Sequence, residues 1–188
     1  MVAQFPDTGR QACEEIASVL DRIDDATAKP LVEAVAGAGR IALYGVGREG
    51  LMMKAFAMRL FHLGLDAHVV GDVTTPPVGP GDLLIVSAGP GDFATVSVLI
   101  GVARRAGAGT LCVTAQPDGA APQACDTAIL LPAQTMADDQ GPDPASILPM
   151  GSLYEGVQYV FFEVVVLQLQ QRLGITPAQM RANHTNLE

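Results

Sequence analysis

The chain has 188 residues, a length that suits one domain with a sizeable hydrophobic core. Its formal net charge is −9 and no basic stripe is visible, which argues against a nucleic-acid-binding protein. Apolar residues make up 49% of the chain and the mean hydropathy is +0.30, so we expect some apolar surface to be buried between subunits.

The cysteines argue against a metal site and against a structural disulfide. Cys13, Cys112 and Cys125 are odd in number and widely spaced, without a CxxC or Cys/His cluster. Reduced cysteines and an N-terminus without a signal-peptide core predict a cytoplasmic protein. The most apolar stretch, VQYVFFEVVVLQLQQ, carries Glu163 and is too short to span a bilayer, so it predicts a buried helix.

The N-terminal part of the chain predicts two helices. Apolar residues recur at helical spacing over residues 8–26. A second helix, PLVEAVAGA, is predicted to begin at Pro30, because proline suits the first helical position.

Five short apolar runs then predict strands, at 40–44, 66–71, 82–88, 110–115 and 126–132. A helix that ends near His62, before Gly64, follows the first strand, and FATVSVLIGVARRAG forms a helix after the third. A long helix over 152–173 and a short one near Pro177 precede the polar tail NHTNLE.

Apolar strands that alternate with helices are typical of a parallel sheet covered on both faces. We therefore predict one α/β domain over residues 1–188, a three-layer sandwich whose five-stranded parallel sheet has the flavodoxin-like order 2-1-3-4-5. Its parts are N-terminal helices over 8–37, the sheet and ligand loops over 40–132, and C-terminal helices over 152–183 with the tail. The glycine-rich loops after the first and third strands should form one site.

The first of these loops is GVGREG, residues 45–50. Its glycines, Gly45 and Gly47, suit a turn that holds a phosphate, and Arg48 adds a positive charge. Glu49, however, stands where a phosphate site prefers a hydroxyl. A dinucleotide fingerprint fits poorly because the third glycine is displaced. A purely structural turn stays open, since the helix dipole favours a glutamate here in any case.

The second loop is SAGPGDF, residues 87–93. The backbone amides of Gly89, Gly91 and Asp92 are available to an anion, whereas Pro90 has no amide to donate. The alternative is a tight turn in which Asp92 caps the following helix.

Glu155 has two interpretations. In SLYE it fits a capping box with Ser152, and the residues alone favour this structural role. The helix that follows is apolar nearly all round, so the carboxylate lies at the edge of a buried region. There its pKa can be raised, as proton abstraction from carbon requires.

Four further residues with polar side chains each allow a structural interpretation. Arg59, in an apolar helix face, is either an ion-pair partner or a ligand for a substrate. His62 and His68 lie near a helix end and inside a strand, which indicates structural roles. His184 lies in the polar tail, where an exposed residue without function is the simplest interpretation.

Several motifs occur together in a fixed order: GVGREG, AFAMRLFHLG with VVGDVTTP, LLIVSAGPGDFATV, PMGSLYEGVQYVFFE and NHTNLE. In this combination, over most of residues 40–188, the chain resembles the sugar isomerase (SIS) domain, and within it the 6-phospho-3-hexuloisomerases. The resemblance implies a five-stranded parallel sheet, a small-molecule sugar or sugar derivative as ligand, and a homo-oligomer, a tetramer or dimer, with active sites at subunit interfaces.

The same resemblance implies an isomerase that moves a sugar carbonyl to the neighbouring carbon through a cis-enediol, without metal or cofactor. Carried over by motif, Glu155 in GSLYE is the base. His184 in NHTNLE assists ring opening or proton transfer between oxygens, reaching in from a neighbouring chain.

The loops depart from the family pattern, which presents hydroxyls to a phosphate. Glu49 replaces the serine of the first loop, and Ala88, Pro90 and Phe93 replace the three hydroxyls of the second; Ser87 precedes them as a weak substitute. A carboxylate ~4 Å from a phosphate costs on the order of 1–4 kcal/mol. We therefore expect an unphosphorylated or otherwise modified sugar.

In this hypothesis Glu49 and Asp92 accept hydrogen bonds from sugar hydroxyls, Arg48 and Arg59 polarise oxygens, and Phe93 packs against an apolar sugar face. One alternative is an ordinary sugar-phosphate isomerase that holds phosphate with backbone amides and Arg48. Another is a sugar-binding SIS protein without activity, against which the presence of both proposed catalytic side chains argues.

Overall fold

A computed structural model describes residues 4–140 and 146–187 of the chain. In chain order its elements are α1 (Phe5–Leu20), α2 (Asp25–Gly37), β1 (Ile41–Gly45), α3 (Gly47–His62), β2 (Ala67–Val69), β3 (Leu83–Ser87), α4 (Ala94–Ala106), β4 (Gly109–Thr114), α5 (Ala120–Ala124), β5 (Thr127–Leu130), α6 (Ser152–Leu173) and α7 (Pro177–Ala182).

The five strands form one parallel sheet in the order β2-β1-β3-β4-β5. This confirms the predicted three-layer α/β fold and its strand order. The register pairs Gly45, the last residue of β1, with Ser87, the last residue of β3. Both glycine-rich loops therefore leave the sheet side by side at the carboxyl ends of the strands.

Alternate strand residues supply two apolar layers, because successive side chains point to opposite faces of a sheet. On one face, Leu43 and Ile85 belong to a buried cluster shared with α1, α2, α3 and α6. On the other face, Ala42 and Val86 join a smaller cluster with α4 and α5. No helix in the described ranges is both long and apolar enough to cross a bilayer.

Several predicted boundaries in the helical parts were wrong. The first helix starts at Phe5 and ends at Leu20 rather than covering 8–26. Pro30 lies inside α2, because Asp24 caps that helix and its side chain accepts a hydrogen bond from Thr27 N. The short helix α5 was not predicted. The segment between β5 and α6 lies partly outside the described residues.

Candidate active site

The first loop is a tight turn that leads directly into α3. A Cβ atom added to Gly50 would lie 2.5 Å from the carbonyl oxygen of Gly45, so the close approach of these two residues requires glycine. Gly47 begins the helix with φ at +58°. The turn thereby places Arg48 and Glu49 in the first turn of α3, next to the end of β3.

Glu49 points inward, between the two loops, and only 6% of the residue is exposed. Its Oε2 atom accepts a short hydrogen bond from the Ser87 hydroxyl and a second from the Gly89 backbone amide, at 3.0 Å. The Ser87 Oγ also lies 3.3 Å from the phenolic oxygen of Tyr154 on α6. The carboxylate thus joins β3, the second loop and α6 in one buried network.

The surroundings of Glu49 act on its pKa in both directions. Burial raises its pKa, the hydrogen bonds from Ser87 and Gly89 act in the opposite direction, and the nearby charge of Glu155 raises the pKa further. The net direction is upward. Burial likewise raises the pKa of Tyr154, which is only 1% exposed, so its phenol stays protonated.

Two of the three amides expected to receive an anion are already engaged. Gly89 N donates to Glu49, and Gly91 N donates to the carbonyl of Ala88 at 2.9 Å. Gly91 also accepts a hydrogen bond from Ala121 N, which ties the loop to α5. These two amides of the second loop are therefore bound by the loop's own backbone and by the carboxylate of Glu49 from the first loop.

Asp92 does not cap α4, contrary to the structural alternative. Phe93 occupies the N-cap position without a side-chain hydrogen bond. The Asp92 side chain is exposed and accepts a hydrogen bond from Ser97 Oγ at 2.5 Å. Phe93 is half-buried and packs on the smaller apolar cluster, so neither residue points into the network around Glu49.

Glu155 lies in the first turn of α6 and forms an ion pair with Arg48, with 2.9 Å between Oε2 and Nη2. The same Arg48 nitrogen donates to the carbonyl of Met150 at 2.8 Å. Burial raises the pKa of Glu155, and the charge and hydrogen bond of Arg48 oppose that rise. A single guanidinium therefore orients this carboxylate and favours its ionised form.

The predicted capping box is wrong. Gly151, with φ at +80°, is the N-cap of α6, and it has no side chain to cap the helix. The Ser152 hydroxyl donates instead to the carbonyl of Pro149 at 2.7 Å. Glu155 is turned away from the helix amides because Arg48 binds its carboxylate.

The structure does not bring Arg59 to the loops. Arg48 and Arg59 lie near opposite ends of α3, a helix of 16 residues and therefore about 24 Å long. Arg59 Nε pairs with Glu163 on α6 at 2.9 Å. The ion-pair interpretation of Arg59 therefore describes this chain, and a direct role at its own glycine-rich loops does not.

His184 also lies at the far end of α3 within its own chain. Its ring stacks on that of His62, with 5.1 Å between the centroids. The adjacent Asn183 donates from its side chain to the carbonyl of His62 at 3.0 Å. His68 bonds to Asp66 at 2.7 Å, at the edge strand β2.

Sequence reasoning missed Tyr154 as part of the site. Its ring packs against Gly89, where an added Cβ would lie 2.9 Å from the Tyr154 ring. A signal was present, since a buried tyrosine at the start of an apolar helix needs a partner for its hydroxyl. Nothing in the sequence named Ser87 as that partner. Within the described ranges, no group of three or more metal-binding side chains is close enough to hold an ion.

Comparison with known proteins shows the family to which the chain belongs. The chain is 33% identical over 175 residues to the 3-hexulose-6-phosphate isomerase of Mycobacterium gastri, covering 93% of this chain and 87% of the relative. It is 32% identical over 166 residues to the Bacillus subtilis protein of the same name, covering 88% and 89%. The chain belongs to the 3-hexulose-6-phosphate isomerase family.

A solved structure of a similar protein supports this assignment. The crystal structure of a Methanococcus jannaschii protein, for which a function of 3-hexulose-6-phosphate isomerase was inferred, matches with a TM-score of 0.82 and 26% identity, covering 95% of this chain and 98% of that one. No protein-family model matches the chain. Family membership makes the chain an isomerase with the SIS type of fold.

Proposed function

We propose that the chain is a sugar isomerase that moves a carbonyl between adjacent carbons through a cis-enediol. The observation that carries this proposal is Glu155, a carboxylate with 16% of its side chain exposed, fixed by Arg48 beside the two glycine-rich loops. Its pKa is raised by burial, which makes it a stronger base than a solvated glutamate.

Glu155 takes the proton from the carbon next to the carbonyl and returns it to the neighbouring carbon. Only the ionised carboxylate can accept this proton. Arg48 opposes the rise that burial causes in the pKa of Glu155, and the same guanidinium stabilises negative charge that develops on the enediol oxygens.

Proton transfer between the oxygens is assigned to His184 of a neighbouring chain. The chain's own His184 stacks on His62 at the far end of α3, so it does not serve the Glu155 of the same chain. We therefore propose a homo-oligomer with shared sites. Because all three cysteines are free thiols, we also propose a reducing, cytoplasmic location.

For the substrate, the loops favour a sugar without a phosphate at this end. Glu49 is buried between them and already occupies two of the donors that would bind a phosphate oxygen. A phosphate brought to about 4 Å from an ionised Glu49 would cost on the order of 1–4 kcal/mol.

A second substrate class is favoured by the relatives, four of which are named for 3-hexulose 6-phosphate. In that case Arg48, half of whose side chain is exposed, would supply the positive charge for the phosphate. This alternative fits the family assignment at least as well as the first.

Deuterium uptake from D₂O separates the two substrate classes, because the enediol exchanges its carbon-bound proton with solvent. A panel of free hexoses and pentoses and their phosphates is incubated with the enzyme and read by mass spectrometry. Exchange with free sugars supports the first class; exchange only with hexulose 6-phosphates contradicts it. Exchange with no sugar overturns the proposed reaction.

The base assignment is tested with Glu155→Gln, for which we expect at least about a 100-fold loss of exchange. Glu14→Gln is the matched control, since Glu14 is an exposed residue of α1 and its loss changes the net charge equally. Exchange retained in Glu155→Gln would show that another group is the base.

A further inference from the structure

The donors around Glu49 converge on a single oxygen. The Ser87 hydroxyl and the Gly89 backbone amide both donate to Oε2. A hydroxyl and a backbone amide that meet at one negatively charged oxygen form an oxyanion site of the kind loops offer to ligands. Here the oxyanion belongs to the protein itself.

The space around this oxyanion site is filled as well. A Cβ atom on Gly89 would lie 3.0 Å from Oε1 of Glu49 and 2.9 Å from the ring of Tyr154. The Glu49 carboxylate and the aromatic ring therefore fill the space over Gly89. While Glu49 occupies this position, the two donors are already bonded and the space over Gly89 is filled, so a second anion cannot bind there.

We propose that Glu49 is an internal ligand that occupies an oxyanion site formed by Ser87 and Gly89, and that this occupancy sets the specificity of the enzyme against substrates with an anionic terminal group. The inference rests on the proposed function in one respect, that the loops line the sugar site. Tyr154 is a positioning residue, since its phenol lies 3.3 Å from the Ser87 hydroxyl.

Glu49 still has one oxygen to offer a substrate. Among the described residues, none donates a hydrogen bond to its Oε1 atom. A carboxylate oxygen in that state accepts a hydrogen bond from a neutral hydroxyl. The terminal group that suits this site is therefore a neutral hydrogen-bond donor, whereas a phosphate presents anionic oxygens that accept hydrogen bonds.

The test removes the internal ligand and asks whether an external oxyanion takes its place. Thermal unfolding of the full chain is measured with inorganic phosphate and with chloride at equal ionic strength. For Glu49→Ser we expect phosphate to raise Tm by about 3–5 °C at roughly tenfold excess over its dissociation constant. For the native chain we expect a shift of less than about 1 °C under the same conditions.

Two control variants sharpen the result. Glu49→Gln keeps the side chain in the oxyanion site without its charge, so no gain from phosphate is expected. Glu14→Ser removes an equal charge from the exposed surface of α1 and should also show no gain. If phosphate raises the Tm of Glu49→Gln as much as that of Glu49→Ser, the charge of Glu49 alone excludes phosphate. Occupancy of the oxyanion site by the side chain would then be wrong.

Other outcomes also overturn the proposal. Phosphate that stabilises the native chain as much as Glu49→Ser shows that the oxyanion site is not occupied. If the Glu49→Ser variant is folded and phosphate does not raise its Tm, Ser87 and Gly89 form no such site. If Glu49→Ser is unfolded in chloride, phosphate should restore folding by mass action, and failure to do so contradicts the inference.

The readout needs no turnover, so it separates this inference from the proposed function. A gain of phosphate binding in Glu49→Ser, together with absence of deuterium exchange on every sugar, would support the internal ligand and overturn the isomerase proposal. Deuterium exchange with free sugars, without a gain of phosphate binding in Glu49→Ser, would support the isomerase proposal and overturn the internal ligand.

Discussion

At the scale of single residues, the site contains two carboxylates with different partners. Glu49 and Glu155 each lie in the first turn of a helix, and burial raises the pKa of both. Neutral donors, Ser87 and Gly89, oppose this rise at Glu49, whereas the cation Arg48 opposes it at Glu155. Of the two carboxylates, Glu155 is the one that pairs with a cation, which suits a base that must be ionised.

Replacement of Arg48 by glutamine should move the pH dependence of the reaction. Without the guanidinium, burial acts on Glu155 unopposed and its pKa rises. Because the base works only when deprotonated, the acid limb of kcat/KM should shift to higher pH. The measurement is kcat/KM against pH on the substrate that the exchange panel identifies.

Arg48→Lys should keep the acid limb close to its native position, because it keeps a positive charge near Glu155. Arg172→Gln is the control, since Arg172 pairs with Glu33 on the surface. An unchanged acid limb in Arg48→Gln would show that the ion pair does not tune the base.

At the scale of elements, the site depends on how α3 packs against α6. Residues of the two helices stack in the core: Phe56 and Phe162 have ring centroids 4.3 Å apart and planes 5° from parallel. Arg59 and Glu163 add an ion pair farther along. The first turn of each helix carries the site's charged residues, so this packing sets the distance between them.

Phe162→Ala should lower the free energy of unfolding by about 3–5 kcal/mol, because it leaves a cavity against Phe56 in a core where both rings are buried. The measurement is urea denaturation at fixed protein concentration. Gln171→Ala, at an exposed position of the same helix, should change stability by less than about 0.5 kcal/mol. Equal effects of the two changes would contradict the packing argument.

Local patterns predicted the elements but misjudged contacts made across the fold. Buried parallel strands are continuous apolar runs, so β1 and β3 were evident from residues 40–44 and 82–88. The S-x-x-E pattern at α6 suggested a capping box, yet Glu155 binds Arg48, which comes from another helix. No spacing within one segment reveals such a partner.

At the scale of the whole molecule, the sequence does not determine the strand order, and 2-1-3-4-5 was chosen among the few arrangements that satisfy right-handed crossovers in a parallel sheet. The adjacency of the two glycine-rich loops followed from that order. The inward orientation of Glu49 did not, since it depends on Tyr154 and Ser87 meeting across the sheet edge. The position of His184 beside His62 was likewise not readable from the tail sequence.

Shared active sites predict complementation between two inactive variants. Glu155→Gln and His184→Ala are each expected to be weakly active alone. If each site combines residue 155 of one chain with residue 184 of another, random mixing should restore about a quarter of the native activity. The variants are mixed, unfolded and refolded together, and exchange is measured against each variant refolded alone.

Recovery of no activity would contradict a shared site, provided light scattering shows that the mixed chains associate. A monomer by light scattering would contradict the oligomer itself. Restored activity would assign His184 to the active site of a neighbour, despite its stacking on His62 within its own chain.

The bare backbone of Gly89 also constrains how this active site can change over evolution. Any side chain at position 89 collides with the Tyr154 ring and with the Glu49 carboxylate, while loss of Glu49 leaves the Ser87 hydroxyl and the Gly89 amide without their acceptor. Mutations at positions 49, 89 and 154 are therefore epistatic. A change at position 49 alone can therefore alter terminal-group recognition, whereas a side chain at position 89 first requires space to be made at Glu49 and Tyr154.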